Sequence, residues 1–282
     1  MTSKASSCVT RLLVAVGVLA GLAAPAMAQY RPLPSARTAS SNTPKGEPYH
    51  VEFAYNIWNP LPDFVIASES LGIPGTDIDV RADLAIQKKQ MYEIRLVLRP
   101  AKKHKFRFSY LPLPYQGHTT LTADLVFNGI KFPVSAQAAT DLRWNTYRLG
   151  YEYDFVSRNA GFFGMIVEAK YTDARVQLST PVSLEYVRAR APIPALGAIG
   201  RVYILRYASI TGEFTAFKLP TNIEGLKYQA HYFDWDIYGT VNFTDNFGAQ
   251  VGYRTLDLRY SVEEDRGEAR LKGPYFGGVV RF

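Results

Sequence analysis

From Tyr147 to Phe155, the residues Tyr147, Leu149, Tyr151, Tyr153 and Phe155 stand at one parity and Arg148, Gly150, Glu152 and Asp154 at the other. Successive side chains of a strand point to opposite faces, so this segment has a ring-rich face and an ionised face. The pattern recurs along the chain. Val51, Phe53, Tyr55 and Ile57 oppose Glu52, Ala54 and Asn56, and Tyr92, Ile94, Leu96 and Leu98 oppose Glu93, Arg95 and Arg99. Phe106, Phe108 and Tyr110 oppose Arg107 and Ser109, and Phe163, Met165, Val167 and Tyr171 oppose Glu168 and Lys170. Phe233, Trp235 and Ile237 oppose Asp234 and Asp236, and Phe247, Val251 and Tyr253 oppose Gln250 and Arg254. A soluble sandwich would need a third layer to cover so much apolar surface, whereas a bilayer covers it directly. The pattern predicts an all-β chain folded as an antiparallel up-and-down transmembrane β-barrel, closed because an open edge leaves unpaired backbone groups in hydrocarbon.

Ten strands follow from the alternation, at 49–58, 91–99, 104–112, 142–155, 161–173, 183–202, 208–217, 227–243, 247–262 and 269–282. An even count puts both ends in the periplasm. Segments 77–86 and 119–133 are also extended; they are expected as hairpins in the outer loops, and would raise the count to 12 if they crossed the membrane. A count of eight is the lower bound. Connections 59–80 and 112–141 are long and contain Gly and Pro, as outer loops do. The stretch 185–207, with Pro192 and Pro194, has no clean phase and is assigned one strand and a short turn near Arg206. Past Arg254 the apolar set shifts to Leu256, Leu258 and Tyr260, which predicts a β-bulge.

Ahead of the strands, Lys4 and Arg11 precede an apolar run from Leu12 to Ala24, and Ala26-Met27-Ala28 forms an A-x-A cleavage site. Residues 1–28 are expected to be a cleaved secretory signal peptide, because the run is shorter than the ~20 residues of a spanning helix. Export then runs through the Sec pathway, and Cys8, the one cysteine, leaves with the leader. Residues 29–48 are rich in Pro, Ser, Thr and Ala and predict a disordered periplasmic tail before a single barrel domain at 49–282. Without Lys4 and Arg11 the formal charge falls from +7 to +5, a mild basicity that suits outer-membrane lipid and lipopolysaccharide as partners. Nothing points to nucleic acid.

The alternation, the leader and the closing Gly273-Pro274-Tyr275-Phe276-Gly277-Gly278-Val279-Val280-Arg281-Phe282 resemble the small outer-membrane β-barrel proteins of Gram-negative bacteria, the broad class that includes the OmpA-like and OmpW-like barrels. The resemblance covers nearly the whole mature chain and is architectural. It implies residence in the outer membrane and recognition of the terminal aromatic residue, Phe282, by the barrel-assembly machinery.

The inward face predicts a lumen charge network of Arg95, Arg107, Arg148, Glu152, Asp154, Glu168, Lys170, Glu213, Asp234, Asp236 and Arg254, joined by Glu52, Glu93 and Arg99. A ten-strand barrel is narrow, so these groups are expected to pair and fill it, because an unpaired buried charge is costly. The function expected is a structural or surface-interaction role. The alternatives are a narrow channel or lateral gate for small or apolar solutes and, less favoured, a barrel-rim hydrolase or acyltransferase. Catalysis would rest on His118 or on His231 near Asp234 and Asp236, but His231 has the opposite parity to both aspartates. His50 and His104 read as turn or rim residues. No spacing of His, Asp and Glu suits a metal and no Gly-rich loop leads into a helix, so no cofactor is expected.

Overall fold

The computed structural model describes residues 46–67, 75–219, 228–262 and 265–282. The expected signal peptide and most of the expected tail lie outside them. Fourteen strands are formed: β1 (Val51–Trp58), β2 (Leu61–Ala67), β3 (Ile78–Asp79), β4 (Met91–Ala101), β5 (His104–Thr120), β6 (Leu125–Phe127), β7 (Ile130–Phe132), β8 (Gln137–Arg158), β9 (Gly161–Ser179), β10 (Leu184–Leu205), β11 (Ala208–Lys218), β12 (Tyr228–Asn242), β13 (Phe247–Val262) and β14 (Asp265–Arg281). Their antiparallel order runs β1-β4-β5-β8-β9-β10-β11-β12-β13-β14, and β14 returns to β1, closing a barrel. The register of β1 on β14 (Glu52 opposite Arg281, Trp58 opposite Tyr275) continues without offset into β2 (Leu61 opposite Lys272), so β1 and β2 are one wall strand interrupted at Asn59-Pro60. The wall therefore has ten strands.

At one end, tight connections at 102–103, 159–160 and 206–207 join the strands; the other end carries the longer loops. Three expectations about the loop end need correction. Residues 112–141 are not one long loop, because β5 continues to Thr120 and β8 starts at Gln137. Between them the β6–β7 hairpin turns at Asn128 and Gly129, both at positive φ, and packs inward with Leu125, Phe127 and Phe132 buried. The Lys131 ammonium, 2.7 Å from Asp124, and the Val134 N–H hold the Asp124 carboxyl below its usual range at the foot of this hairpin. Segment 77–86 pairs with β2 through β3 and the Val80 N–H, which donates to the Phe64 carbonyl, and then folds inside, burying Ile78, Val80, Leu84 and Ile86. Gly117 on β5 allows this close approach: a Cβ there would stand 2.3 Å from the Leu84 carbonyl oxygen. Thirdly, the register of β12 on β13 is unbroken from Tyr228–Val262 to Asn242–Gly248, so no bulge follows Arg254. Leu256 and Leu258 keep the parity of Arg254 and point into the barrel, where both are buried.

These residues show that the interior changes character along its length. Toward the tight turns it is polar. Toward the loops it is an apolar core in which Phe64, Leu113, Tyr115, Leu142, Trp144, Leu256 and Leu271 meet the inward hairpin and the 77–86 segment. An alternation rule that assumes a charged lumen throughout mistakes an inward leucine for an outward one.

Proline pairs mark where the ladder stops. β11 pairs with β10 only up to Ala216–Leu196, leaving the edge of β10 from 184 to 195 without a strand partner on that side among the described residues. The Tyr203 N–H donates to Ala160, so odd residues of β10 turn their N–H toward β9 and even residues toward β11. Pro192 and Pro194 are even. They remove donors from the free edge and leave the β9 ladder intact. On β5, odd residues bond toward β8, as Asp154 to Lys103 shows just below the strand, so Pro112 and Pro114 fall on the edge that β4 leaves free beyond Tyr110. Both strands are therefore longer and more regular than their prolines suggest.

Outward side chains form an apolar belt, with Phe53, Tyr55, Phe106, Leu149, Phe163, Val167, Leu196, Ile237, Val251 and Phe276 all exposed. Single cysteines in a Cys8→Ser background test the corrected phase. A fluorophore on Val251→Cys is expected to be quenched by brominated lipid chains and one on Leu256→Cys to be protected; equal quenching would restore the bulge.

The lumen ion-pair layer as candidate functional site

All ten wall strands send side chains into the polar half of the lumen. Nine buried or nearly buried carboxylates, Glu47, Glu52, Glu93, Glu152, Asp154, Glu168, Glu213, Asp234 and Asp236, face nine cations, Arg95, Arg99, Lys105, Arg107, Arg148, Lys170, Arg201, Arg254 and Arg281. The eleven residues expected as a charge network lie in one continuous chain of alternating sign. Asp154 and Glu152 stand 3.0 and 2.8 Å from the Lys105 ammonium, and Glu152 also takes Arg107 at 2.6 Å. Arg107 bonds Glu213, which accepts from Arg148 at 2.8 Å. Arg148 continues to Glu168 at 3.0 Å, and Lys170 bridges Glu168 and Asp234, each at 3.0 Å. Arg254 then joins Asp234 at 2.7 Å to Glu93 at 2.6 Å, and Arg95 joins Glu93 to Asp236, both at 2.7 Å. Links run across the barrel as well as between neighbours: Arg95 on β4 reaches Asp236 on β12, and Arg107 on β5 reaches Glu213 on β11.

Four participants escaped the sequence reading. Lys105 lies inside the expected strand 104–112 but is absent from the expected network, although its odd parity on β5, shared with Arg107, sends it inward. Arg201 lies in the stretch whose phase the prolines obscured, and it meets Tyr49 at 2.8 Å and Glu52 at 3.5 Å. Arg281, next to the last residue, bonds Glu52 at 2.7 Å. Glu47 precedes the first strand, inside the segment expected to be a disordered tail, yet it lies against Lys105 at 2.9 Å and Arg201 at 3.2 Å. Its backbone carbonyl also accepts from Arg99. The parity of Arg201 and Arg281 was available signal; nothing in the sequence pointed to Glu47.

Aromatic rings cap the layer where it meets the apolar core. The Arg254 guanidinium lies 5.6 Å from the Trp58 ring and the Lys170 ammonium 4.0 Å from the Tyr232 ring. A cation on a ring face keeps an electrostatic partner on the side where carboxylates end. At the other end Lys105 sits 3.3 Å over Phe162. The space left beside Arg107, Arg148 and Glu152 is about 30 Å³, room for a few waters.

The structure does not bring the candidate catalytic residues together. His231 and His118 are exposed on the outer wall, while Asp234 and Asp236 are buried inside and ion-paired. His50 lies at the turn-end rim against the Arg99 carbonyl, and His104 bonds Tyr151. Among the described residues no group of three His, Cys, Asp or Glu side chains is placed to hold a metal ion.

No protein-family model matches the chain, and no curated protein matches it. Solved structures do. The outer-membrane protease OmpT from Escherichia coli superposes with a TM-score of 0.56 at 8% identity, over 87% of this chain and 99% of that one. The fold is that of a bacterial outer-membrane β-barrel. Weaker likenesses are to Neisserial surface protein A (14% identity, 83% of this chain, 97% of that chain, TM-score 0.35) and to the Pseudomonas putida toluene transporter TodX (9%, 83%, 91%, TM-score 0.33).

The layer makes a stability prediction. Removing Arg95 alone strands Asp236, and a stranded buried charge costs roughly 3–5 kcal/mol. Arg95→Leu is therefore expected to lower the urea midpoint of unfolding sharply, and Arg95→Leu with Asp236→Leu to recover most of it, because Glu93 keeps Arg254. A midpoint insensitive to the single change would mean that the lumen is wet.

Proposed function

We propose that this protein is an integral outer-membrane barrel whose lumen is a structural core, and that it acts through its surfaces and not through a pore. The observation that carries this reading is the ion-pair layer, built from every wall strand and backed toward the loops by an apolar core. A lumen so filled replaces the hydrophobic core of a soluble protein while the outward rings meet lipid. The apolar belt supports residence in the membrane, and the tight turns and terminal strand support a periplasmic assignment for the turn end. Phe282 is proposed as the assembly signal; it is exposed at the closing seam, where its carbonyl accepts from the Val51 N–H at 2.9 Å and its N–H donates to the Val51 carbonyl at 2.9 Å.

A second reading, lateral passage of small apolar solutes, is favoured by one observation. The unpartnered β10 edge adjoins an apolar stretch of the outer lumen lined by Ile66, Trp144, Val176 and Val187. Such a route would enter from the loop end and leave sideways above the ion-pair layer.

Planar-bilayer recording after a gel assay separates the possibilities. The barrel is expected to shift mobility on boiling and then to stay electrically silent. Steady ion conductance by gel-shifted protein would overturn the filled-lumen reading. Silence together with release of a hydrophobic dye from loaded vesicles would select lateral passage.

A further inference from the structure

The outer wall carries a local excess of arginine that the ion-pair layer does not use. Arg143 on β8, Arg175 on β9 and Arg188 on β10 are directly opposite one another in the two ladders, so three guanidiniums stand abreast on the outward face. Arg190, two residues along β10, extends the group. Like charges directly opposite each other across strands are destabilising. Two carboxylates offset them in part: Asp141 takes Arg143 at 2.8 Å, and Asp173 is shared by Arg188 at 2.6 Å and Arg190 at 3.3 Å. No described carboxylate lies within ion-pair distance of Arg175. Its guanidinium rests 4.6 Å from the Tyr186 ring and donates to Gln177 at 3.0 Å, while its buried Nε has no acceptor. Four cations against two anions leave two charges over. Elsewhere on the outer wall the balance is closer: Asp257 meets Arg259 and Arg270, and Glu268 also lies near Arg259.

The height of the cluster says what kind of anion it can meet. On β9 the outward column Phe163, Met165, Val167, Ala169, Tyr171 ends in Asp173 and Arg175, and on β8 Leu149 and Tyr147 give way to Asn145 and Arg143. Arginine begins where the apolar belt stops, which is where lipid headgroups lie if the belt is in a bilayer. Directly below Arg190 on the same outward face come Pro192 and Pro194, on the β10 edge that no described strand covers, and then Leu196, where pairing with β11 begins. An amphiphile with an anionic head and a hydrocarbon chain matches both parts. Planar guanidiniums bind phosphate oxygens through paired N–H donors.

From this juxtaposition we propose that Arg143, Arg175, Arg188 and Arg190 bind the phosphate of an outer-leaflet lipid, whose chain lies along the outward side chains of Pro192, Pro194 and Leu196. The proposal rests on the membrane-barrel reading and adds a ligand class and a site to it. The phosphate supplies the counter-charge that Arg175 lacks, and the rings of Pro192 and Pro194, with the Leu196 side chain, present hydrocarbon to the chain.

The test uses the full chain in detergent, native mass spectrometry and two probes: bis-phosphorylated lipid A and the same lipid A with its phosphates removed. The phosphorylated probe is expected to be retained about tenfold more tightly, a difference of about 1.4 kcal/mol. The Arg143→Gln, Arg175→Gln double variant is expected to abolish that preference while keeping the mobility shift on boiling, because both side chains lie outside the lumen layer. Equal retention of the two probes, or an unchanged preference in the double variant, would overturn the site. Displacement of the lipid by millimolar inorganic phosphate would overturn the lipid as its ligand in favour of free phosphate. A wild-type chain that shows no mobility shift would instead overturn the barrel reading beneath it.

Discussion

A charge carried into the middle of a barrel must find its opposite there. Burial takes an ionised side chain away from bulk water, which costs several kcal/mol unless another group answers it. The lumen meets that demand with a chain of alternating charges from Asp154 to Asp236, in which most groups touch two partners of opposite sign. The cross-barrel links, Arg95 to Asp236 and Arg107 to Glu213, tie opposite walls together. Where carboxylates run out, Trp58 and Tyr232 take over as ring partners, and the apolar core begins behind them. Closure of the wall and neutralisation of the lumen thus depend on each other: without the seam between β1 and β14, Glu52 and Arg281 would not meet.

Much of this was legible because strand parity is a local signal. A clean alternation such as Tyr147 to Phe155 fixes both the strand and the direction of every side chain on it, and once directions are known, opposite charges facing one lumen must meet. Partner identity was less accessible. Nothing in the sequence says that Arg95 reaches Asp236 across 141 residues of chain, since that depends on barrel diameter and rotamers. The misread phase after Arg254 has the same origin. Parity tells which residues share a face and says nothing about which face is apolar at a given height; Leu256 and Leu258 read as outward only if the lumen is polar throughout.

Proline was the other source of error, and its physical message was the reverse of the usual one. Pro112, Pro114, Pro192 and Pro194 look like strand breakers, yet each sits in a long strand at a position whose N–H would face an unladdered edge. Spacing the two members of each pair by two residues puts both rings on that edge and spares the ladder on the opposite side. In a long barrel strand a Pro-x-Pro pair therefore locates the height at which one neighbour departs.

The balance of nine against nine inside the lumen has an electrical consequence. Because the ion-pair layer sums to zero among the described residues, it contributes nothing to the chain's formal net charge of +7, which arises outside that layer. A potential applied along the barrel axis exerts no net force on the filling. What an approaching molecule senses beyond a Debye length of roughly 8 Å is the pattern of arginine and aspartate on the rims and outer face, and the dense ionic interior is invisible to it.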